Sequence, residues 1–374
     1  MNSEKKEMLE IMNELEVNFD GFFQWLAGQY DPVTGGFYYA RSSIKDNRFT
    51  PDIESTAQAL NILIRNDLLK SLPEEIRQQM IVFFQRKQDQ NTGYFLDENP
   101  AMKKDEVMVH RAINYSAGSL RKLGSTPLYP LPLEAKSAPE YVATPETYLK
   151  KWQSIDLSNS WRGCDLLATS CVYIGEMEES LQQRFLNEAV KYLASIQDPE
   201  TGLWGEGSLY VRISGTFKLH TFYSRFNIPM PNTDLIYKSI LHCLRTEEAF
   251  DMCYIRNPIN LLSYMDVSIP HKELKEILKI TTDNVKTLKR TDGGFSRELD
   301  HSPPAPNVAQ VKKNELYPDM PEPVCLGKGL VEGDMNASTQ ATLIWLQCHQ
   351  LAGLQAKPIK DSETFYNFLQ QKIV

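Results

Sequence analysis

The chain has 374 residues, of which 42% are hydrophobic, 24% charged and 10% aromatic, and its formal net charge is -8 at pH 7. This composition supplies enough apolar material for a continuous core and excludes intrinsic disorder as a description of the whole chain. It contains no long basic run, no secretion signal and no apolar run of about 18 residues, so we expect a cytoplasmic protein with no nucleic-acid partner and no membrane span.

Segments with helical periodicity follow one another along the chain and sort into pairs. The predicted pairs join residues 8–28 with 52–69, 74–88 with 105–123, 145–154 with 161–176, 179–196 with 211–226, 233–246 with 250–265, and 271–289 with 335–353. The first member of each pair is amphipathic and charged, whereas the second is rich in small and aromatic residues. An outer and a buried inner ring would produce this contrast. The sequence therefore predicts an all-α fold, an (α/α)6 toroid of six outer/inner helix pairs with few or no strands.

Two Pro-rich connections, 124–145 and 296–334, interrupt the helical pattern. Helix pairing continues on both sides of each connection, so we predict a single toroid domain over residues 1–374, sealed by a final helix near 362–372. Long loops in a compact domain are usually functional or disordered. We therefore expect both connections to lie over one mouth of the toroid.

One turn recurs between the helices. Its four copies are QYDPVTGGF at 29–37, QDQNTGYF at 88–95, QDPETGLW at 197–204 and RTDGGF at 290–295, and their glycines, Gly35, Gly93, Gly202 and Gly293, are 58, 109 and 91 residues apart. These intervals correspond to one or two units of about 50 residues, the size of a helix pair with its loops. In each copy an Asp or Asn can cap the turn and a glycine can adopt positive φ.

The third copy, taken with the residues before it, resembles a repeat of a known protein family. YLASIQDPETGLW, at 192–204, resembles the QW repeat of squalene-hopene cyclases, and FFQRKQDQNTGYF, at 83–95, matches it with Phe95 in the Trp position. Together with the helix pairs, the chain is similar over nearly its whole length to the terpenoid cyclase and protein prenyltransferase α/α-toroid superfamily, which implies that fold. The superfamily's DxDD and DDxxD motifs are absent, and Asp251-Met-Cys253 matches only part of the prenyltransferase zinc motif. With no CxxC pair either, we expect no metal and no cofactor.

Candidate site residues lie where the inner helices begin, because six converging N-termini favour an anionic group at one mouth. The first and last inner helices open alike, with Asp52 and Asp334 each six residues before a Gln. Asp52 and Asp334 can be N-caps. They can also form, with Glu54, a carboxylate group for acid and base catalysis, and both interpretations can hold at once.

The remaining candidates lie on the other inner segments. Trp161 is interpreted as a stacking face, Arg162 as an anion ligand and Asp165 as a third carboxylate, the alternative being a core Trp with an outward Arg. The fourth segment carries Arg212, Lys218, His220 and Tyr223, a dense polar load for a buried element. The predicted lining is completed by Arg256 and Asn257 before the kink expected at Pro258, and by Asn336 and Gln340 on the last helix. His110, beside Arg111, is interpreted as a packing residue.

This mixture of charged, amide and aromatic side chains is too polar for a hydrocarbon cyclase and is typical of carbohydrate sites. We therefore predict a carbohydrate-active enzyme that acts on an acidic oligosaccharide. As a hydrolase it would use Asp52, Asp165 or Asp334 as acid or base and Arg162, Lys218 or Arg256 to bind the uronate. As a lyase it would use His220 as the base and Tyr223 as the acid. The alternatives are a terpenoid cyclase or prenyltransferase-like enzyme with degenerate motifs, and a non-catalytic toroid that binds a glycan or a peptide.

Overall fold

The computed structural model describes residues 3–309 and 320–373, and within these ranges it contains helices and isolated β-bridges but no β-strand. The first α-helices are α1 (Ser3–Glu16), α2 (Phe22–Gly28), α3 (Arg41–Ile44), α4 (Ile53–Arg65), α5 (Glu74–Arg86), α6 (Glu106–Lys122), α7 (Pro145–Gln153) and α8 (Ser160–Ser170). They are followed by α9 (Glu179–Ile196), α10 (Leu209–Arg225), α11 (Thr233–Thr246), α12 (Met252–Tyr264), α13 (His271–Thr287), α14 (Met335–Leu351) and α15 (Thr364–Ile373). The predicted all-α class is confirmed. In the described part of the chain, no helix combines the length and the apolar character that crossing a bilayer requires.

The predicted segments coincide with these helices. The first predicted segment is divided into α1 and α2 by a 3-10 turn at Val17–Phe19 and by Gly21, whose φ is 73°. The helix predicted near 362–372 is α15. The helix α12 continues through Pro258.

The contacts group the chain into two compact units. The first unit comprises residues 1–84, 248–309 and 323–374, and the second comprises 85–247 and 310–322. The sequence predicts a single domain, and that prediction, like the closure of the helices into a ring of six pairs, stays a prediction.

In the first unit, α14 packs against both α4 and α12, and α1 packs against α13. Arg65 of α4 donates from Nη1 to the carbonyl and the hydroxyl of Thr339 on α14, both at 3.0 Å. By contrast, α1 and α13 are joined by exposed ion pairs, Lys275–Glu7 at 2.7 Å and Lys279–Glu14 at 2.8 Å. In this unit α1 and α13 form a polar pair, and α4, α12 and α14 form a buried group that we call the inner group. Their arrangement as outer and inner rings stays a prediction.

In the second unit, α8 packs against α10 and α6, and α7 packs against α9. The backbones of α8 and α10 approach closely at Gly215, where an added Cβ would lie 2.0 Å from Ser160 Oγ. The side chains of α7 fill the adjacent core, where Trp152 is fully buried and donates from Nε1 to Ser170 Oγ at 2.9 Å. The inner group of this unit therefore consists of α6, α8 and α10.

A polar side chain caps the N-terminus of every inner helix. The caps, each accepting a backbone N–H of the first turn, are Asp52 on α4, Asp105 on α6, Asn159 on α8, Ser208 on α10, Asp251 on α12 and Asp334 on α14. All of these except Ser208 are buried. Such caps satisfy backbone donors that have no partner inside the helix. The interpretation of Asp52 and Asp334 as N-caps is confirmed.

The recurring turn has the same geometry in its first three copies. The Gly N–H donates to the carbonyl of an Asp four residues earlier, at 2.9 Å in Gly35–Asp31, Gly93–Asp89 and Gly202–Asp198. The three glycines have φ of 79°, 74° and 71°, a region that favours glycine. The fourth copy is one residue shorter, with Gly293 N–H donating to the carbonyl of Arg290 at 3.2 Å.

Contacts inside one unit fix part of each Pro-rich connection. In the first, Ser137 Oγ donates to the carbonyl of Thr92 at 2.6 Å, and the carbonyl of Tyr129 accepts from Gln88 Nε2 at 2.9 Å. In the second, the carbonyl of Pro303 accepts from Tyr39 Oη at 2.9 Å. Residues 310–319 of this connection lie outside the described residues. The expected place of both connections over one mouth stays a prediction.

Candidate functional site

The predicted site residues divide between the two units. Those in the first unit are Asp52, Glu54, Arg256, Asn257, Asp334, Asn336 and Gln340. Those in the second unit are Trp161, Arg162, Asp165, Arg212, Lys218, His220 and Tyr223.

Asp165 of α8 is the centre of an ion cluster in the second unit. Its Oδ2 lies 3.1 Å from Lys218 Nζ of α10 and also contacts the guanidinium of Arg111 on α6. The Asp165 side chain is 2% exposed, whereas Arg111 and Lys218 keep 16% and 13% of their side-chain surface. Two cations thus share one carboxylate, and the accessible part of the cluster is cationic.

The ionisation of Asp165 follows from the same contacts. Burial works to raise the pKa of Asp165, but the charges of Arg111 and Lys218 outweigh burial and hold the pKa below its ordinary value. The carboxyl therefore has no proton to donate near neutral pH. Its contribution is to orient the two cations.

Arg162 is engaged by a different carboxylate. Its Nη2 lies 2.6 Å from Oδ1 of Asp105, the cap of α6, and the two side chains are 4% and 0% exposed. Sequence reasoning singled out Arg162 as the anion ligand and treated Arg111 only as a neighbour of His110. The signal that could have identified Arg111 is its position on an inner helix, where a charge needs a partner.

Trp161 lies beneath the cationic cluster. Lys218 Nζ is 5.8 Å from the centroid of its ring, a cation–π geometry. The indole itself is only 2% exposed. Trp161 therefore supports Lys218 electrostatically and offers little open surface for stacking.

Two other polar residues of α10, His220 and Tyr223, are buried and contact the core. Lys218 and His220 are two residues apart, about 200° around the helix axis. His220 is buried with Nδ1 at 3.2 Å from the carbonyl of Phe217, and Tyr223 packs against Trp204 with ring centroids 6.2 Å apart. These are packing contacts, and the roles of His220 and Tyr223 as base and acid of a lyase stay predictions.

Arg212 holds the third copy of the recurring turn. Its Nε donates to the carbonyl of Gly205 at 2.9 Å, and its Nη2 lies 2.8 Å from Asp198 Oδ2. His110 is buried, its ring contacts that of Tyr173 edge-on at 5.2 Å, and burial lowers its pKa to about 4. Its interpretation as a packing residue is confirmed.

In the first unit, a chain of side-chain hydrogen bonds joins α4, α14 and α12. Glu54 Oε1 accepts from Gln58 Nε2 at 3.0 Å and from Asn336 Nδ2 at 3.3 Å. Asn336 Oδ1 in turn accepts from Gln340 Nε2 at 2.8 Å, and Gln340 Oε1 accepts from Arg256 Nε at 3.2 Å. We call this the polar chain. The structure therefore brings Glu54, Asn336, Gln340 and Arg256 together, as the sequence predicts.

Asp334 lies at the buried start of α14. Its Oδ1 accepts from the N–H of Ala337 at 2.7 Å, and its Oδ2 accepts from the N–H of Arg297 at 2.8 Å and the hydroxyl of Ser302 at 2.7 Å. Burial raises the pKa of Asp334 to about 6, although these hydrogen bonds act in the opposite direction. Both oxygens are committed to the fold, so Asp334 is placed as a structural carboxyl group.

Asp52 and Asn257 are buried in the same unit. Asp52 Oδ1 accepts from the N–H of Ser55 at 2.8 Å, and Asn257 is 1% exposed on α12. The sequence analysis missed a buried ion pair between Arg297 and Asp251. Arg297 Nε lies 3.3 Å from Asp251 Oδ2. Arg297 lies in a connection without periodicity, so no pattern could indicate its partner.

One group in the described residues brings three possible metal ligands within 4.8 Å of one another, namely Glu298, Asp300 and His301. Asp300 keeps 85% of its side-chain surface, and such exposed groups are common without an ion.

No protein-family model, curated protein or solved structure matches this chain.

Proposed function

We propose that this protein is a carbohydrate-active enzyme that acts on an acidic oligosaccharide. The observation that supports this most directly is the sharing of Asp165 by Arg111 and Lys218. Both cations keep part of their side-chain surface accessible, 16% for Arg111 and 13% for Lys218. The carboxylate of a uronic acid would form charge-assisted hydrogen bonds with these cations, and such bonds are about twice as strong as neutral ones.

The polar chain favours a sugar over an isoprenoid as the substrate. Carboxylate, amide and guanidinium groups can each exchange a hydrogen bond with a sugar hydroxyl. A hydrocarbon can exchange no hydrogen bond with these groups. The chemistry of Glu54 and its neighbours therefore supports the carbohydrate hypothesis against the terpenoid alternative.

Among the predicted catalytic carboxylates, the proposal assigns acid and base chemistry to Glu54. Asp165 is held ionised by its two cations, and Asp334 uses both oxygens to bind the backbone and Ser302. Glu54 accepts hydrogen bonds from the neutral amides of Gln58 and Asn336, and a carboxylate is a common general acid or base. This assignment favours hydrolysis over elimination.

The proposal includes the closed toroid of six helix pairs and its kinship with the terpenoid cyclase and prenyltransferase toroids. Three features support it. Each unit contains three inner helices in contact, all six inner helices begin at side-chain caps, and the QW-like turn recurs with one geometry in three copies. The kinship concerns the fold, because a fold does not determine the chemistry of its site.

The test is an activity assay on polyuronides and on unsaturated uronyl disaccharides, followed by ultraviolet absorbance and by the release of reducing ends. We expect the wild type to consume such a substrate. Glu54→Gln, which keeps the volume and one acceptor oxygen, should lower kcat at least 100-fold, the usual range for a lost acid or base. Lys218→Met should mainly raise KM.

The matched control is Lys191→Met, because Lys191 is 73% exposed on α9 and pairs only locally with Glu188. It should leave both constants unchanged. The proposal is wrong if the wild type is inactive on every acidic oligosaccharide, or if it instead releases diphosphate from a prenyl diphosphate.

A further inference from the structure

A cavity in the first unit, lined by none of the predicted site residues, has an excess of positive charge. It has a volume of about 630 Å³ and lies among α2, the short α3, the turn at 291–292 and α15. The charged residues of its lining are Arg41, Lys45 and Lys372 against a single acid, Asp292. This excess of positive charge occurs in a chain whose net charge is -8. Its volume is in the range of small-molecule pockets, about 300–1,000 Å³.

The three cations differ in the contacts that their side chains make. Lys372 donates to the carbonyls of Gly28 and Tyr30, the latter at 2.8 Å, and so is fixed at the C-terminus of α2. Arg41 and Lys45 are exposed, lie one helical turn apart and have no acidic partner among the described residues. Asp292 is held by the N–H groups of Gly294 and Gly333, each donating to one of its oxygens at 3.0 Å, and its single negative charge is outnumbered by the three cations.

The buried wall of the cavity carries polar atoms that lack partners. Gln29 is 1% exposed, and its Nε2 donates to the carbonyl of Trp25 at 3.2 Å, but its Oε1 has no hydrogen-bond partner in the part of the chain that is described. Nε1 of Trp25, a residue 3% exposed, is likewise without a partner there. Buried polar groups are nearly always hydrogen-bonded, so these atoms require a partner, either an ordered water or a group of a bound molecule.

A neighbouring cavity has a lining whose net charge is negative. It has a volume of about 490 Å³, borders the N-terminal half of α2, and its charged lining residues are Glu16, Asp20, Asp361 and Lys360. Both cavities therefore border the same helix, but the net charges of their linings differ in sign. Only the cavity at Arg41 combines excess positive charge with a buried acceptor that has no donor.

We infer that the cavity at Arg41, Lys45 and Lys372 binds a small phosphorylated molecule that also carries hydroxyl groups. Arg41 begins α3, Lys45 follows its last residue, and both line the cavity with Lys372. Three cations around one cavity suit a dianionic phosphate better than a single carboxylate. A hydroxyl group of the same molecule supplies the donor that Gln29 Oε1 requires. The site is separate from the acidic-sugar site proposed above and shares no residue with it.

The test is calorimetric titration of the full chain, at constant ionic strength, with three probes: glucose 6-phosphate, inorganic phosphate and glucose. We expect saturable binding of glucose 6-phosphate, weaker binding of inorganic phosphate and none of glucose. Arg41→Gln and Lys45→Gln should each weaken glucose 6-phosphate binding about tenfold, the effect of losing one charge-assisted contact. Both positions are exposed, so both variants should fold.

Lys360→Gln is the control, since it removes the same charge from an exposed residue of the neighbouring cavity. It should leave the affinity unchanged. Gln29→Met should reduce the advantage of glucose 6-phosphate over inorganic phosphate, with folding checked by circular dichroism. Absence of saturable binding of either phosphate, or equal weakening by Lys360→Gln and Arg41→Gln, would overturn the inference.

Discussion

Asp334 illustrates how burial and function can diverge at a single residue. Its sequence position, six residues before Gln340, made it a candidate catalyst. In the structure it is 0% exposed, and both oxygens are bound by groups of its own unit. Its raised pKa is therefore a property of the fold, and it predicts how stability depends on pH.

The folded-state pKa of Asp334 is about 6, compared with 3.8 for an unperturbed carboxyl. The folded protein therefore binds a proton that the unfolded chain releases between these values, and this contribution to stability is lost as the pH rises towards 6. Its total is about 3 kcal/mol. We expect the wild type to lose stability relative to Asp334→Asn by this order between pH 4 and pH 6.5. Urea denaturation of both proteins gives the two free energies of unfolding.

Asn159→Ala is the matched control, because Asn159 caps α8 by the same kind of hydrogen bond but cannot titrate in this range. Its effect on stability should be the same at every pH. A constant difference for Asp334→Asn across the range would mean that the Asp334 carboxyl is ionised throughout.

At the residue scale, sequence predicted the groups whose partners are local and missed those whose partners are distant. Asp52 and Asp334 could be identified as caps because the acceptor and the donor lie three residues apart. Arg111 could not be matched to Asp165, nor Arg162 to Asp105, because 54 and 57 residues separate the partners. Such pairs depend on helix packing, which one sequence does not reveal.

At the scale of elements, the inner helices depend on their caps. Asp105 caps α6 and also neutralises the buried Arg162. Asp105→Ala should lower the free energy of unfolding by about 3–5 kcal/mol, because it leaves a charge buried without its carboxylate. Asp105→Asn, which keeps a capping oxygen, should cost less than Asp105→Ala.

The comparison is with Thr144→Ala, which removes the exposed cap of α7 and should cost about 1 kcal/mol. Chemical denaturation of the three variants gives the order. A cost for Asp105→Ala no larger than that for Thr144→Ala would show that Arg162 does not need Asp105.

The recurring turn provides a second prediction at this scale. Gly93 has φ of 74°, and an added Cβ would lie 2.1 Å from the carbonyl oxygen of Pro130. Gly93→Ala should therefore destabilise the protein by about 2 kcal/mol or more, through strain and through displacement of the first Pro-rich connection. Gly118→Ala, within α6 and with no atom near the added Cβ, should stabilise it by about 0.5–1 kcal/mol. Thermal unfolding of both variants distinguishes a turn requirement from a general effect of alanine.

The helices themselves were largely predictable, because hydrophobic periodicity and local capping decide where they begin and end. Gly21 and the 3-10 turn before it divide the first segment, which periodicity alone treats as continuous. The two Pro-rich connections were recognised as loops. Their packing was not predicted, since contacts such as Tyr39 with Pro303 join residues far apart in the chain.

At the scale of the whole molecule, charge is distributed unevenly in a way that the net value of -8 conceals. The second unit carries a partly accessible cationic cluster around Asp165, and the first unit carries a cationic cavity at Arg41 and Lys45. These groups create local positive potential in a protein whose net charge is negative, and both proposed sites for anionic ligands depend on it.

The central claim is that Lys218 and Arg111 recognise the carboxylate of an acidic sugar, and calorimetry with digalacturonic acid and the corresponding neutral disaccharide tests it most directly. The wild type should bind the acidic disaccharide at least tenfold more tightly than the neutral one. Lys218→Met should remove this preference while Arg111 still neutralises Asp165 and preserves the fold. Equal affinities of the wild type for the two disaccharides, or a preference that survives Lys218→Met, would contradict the account.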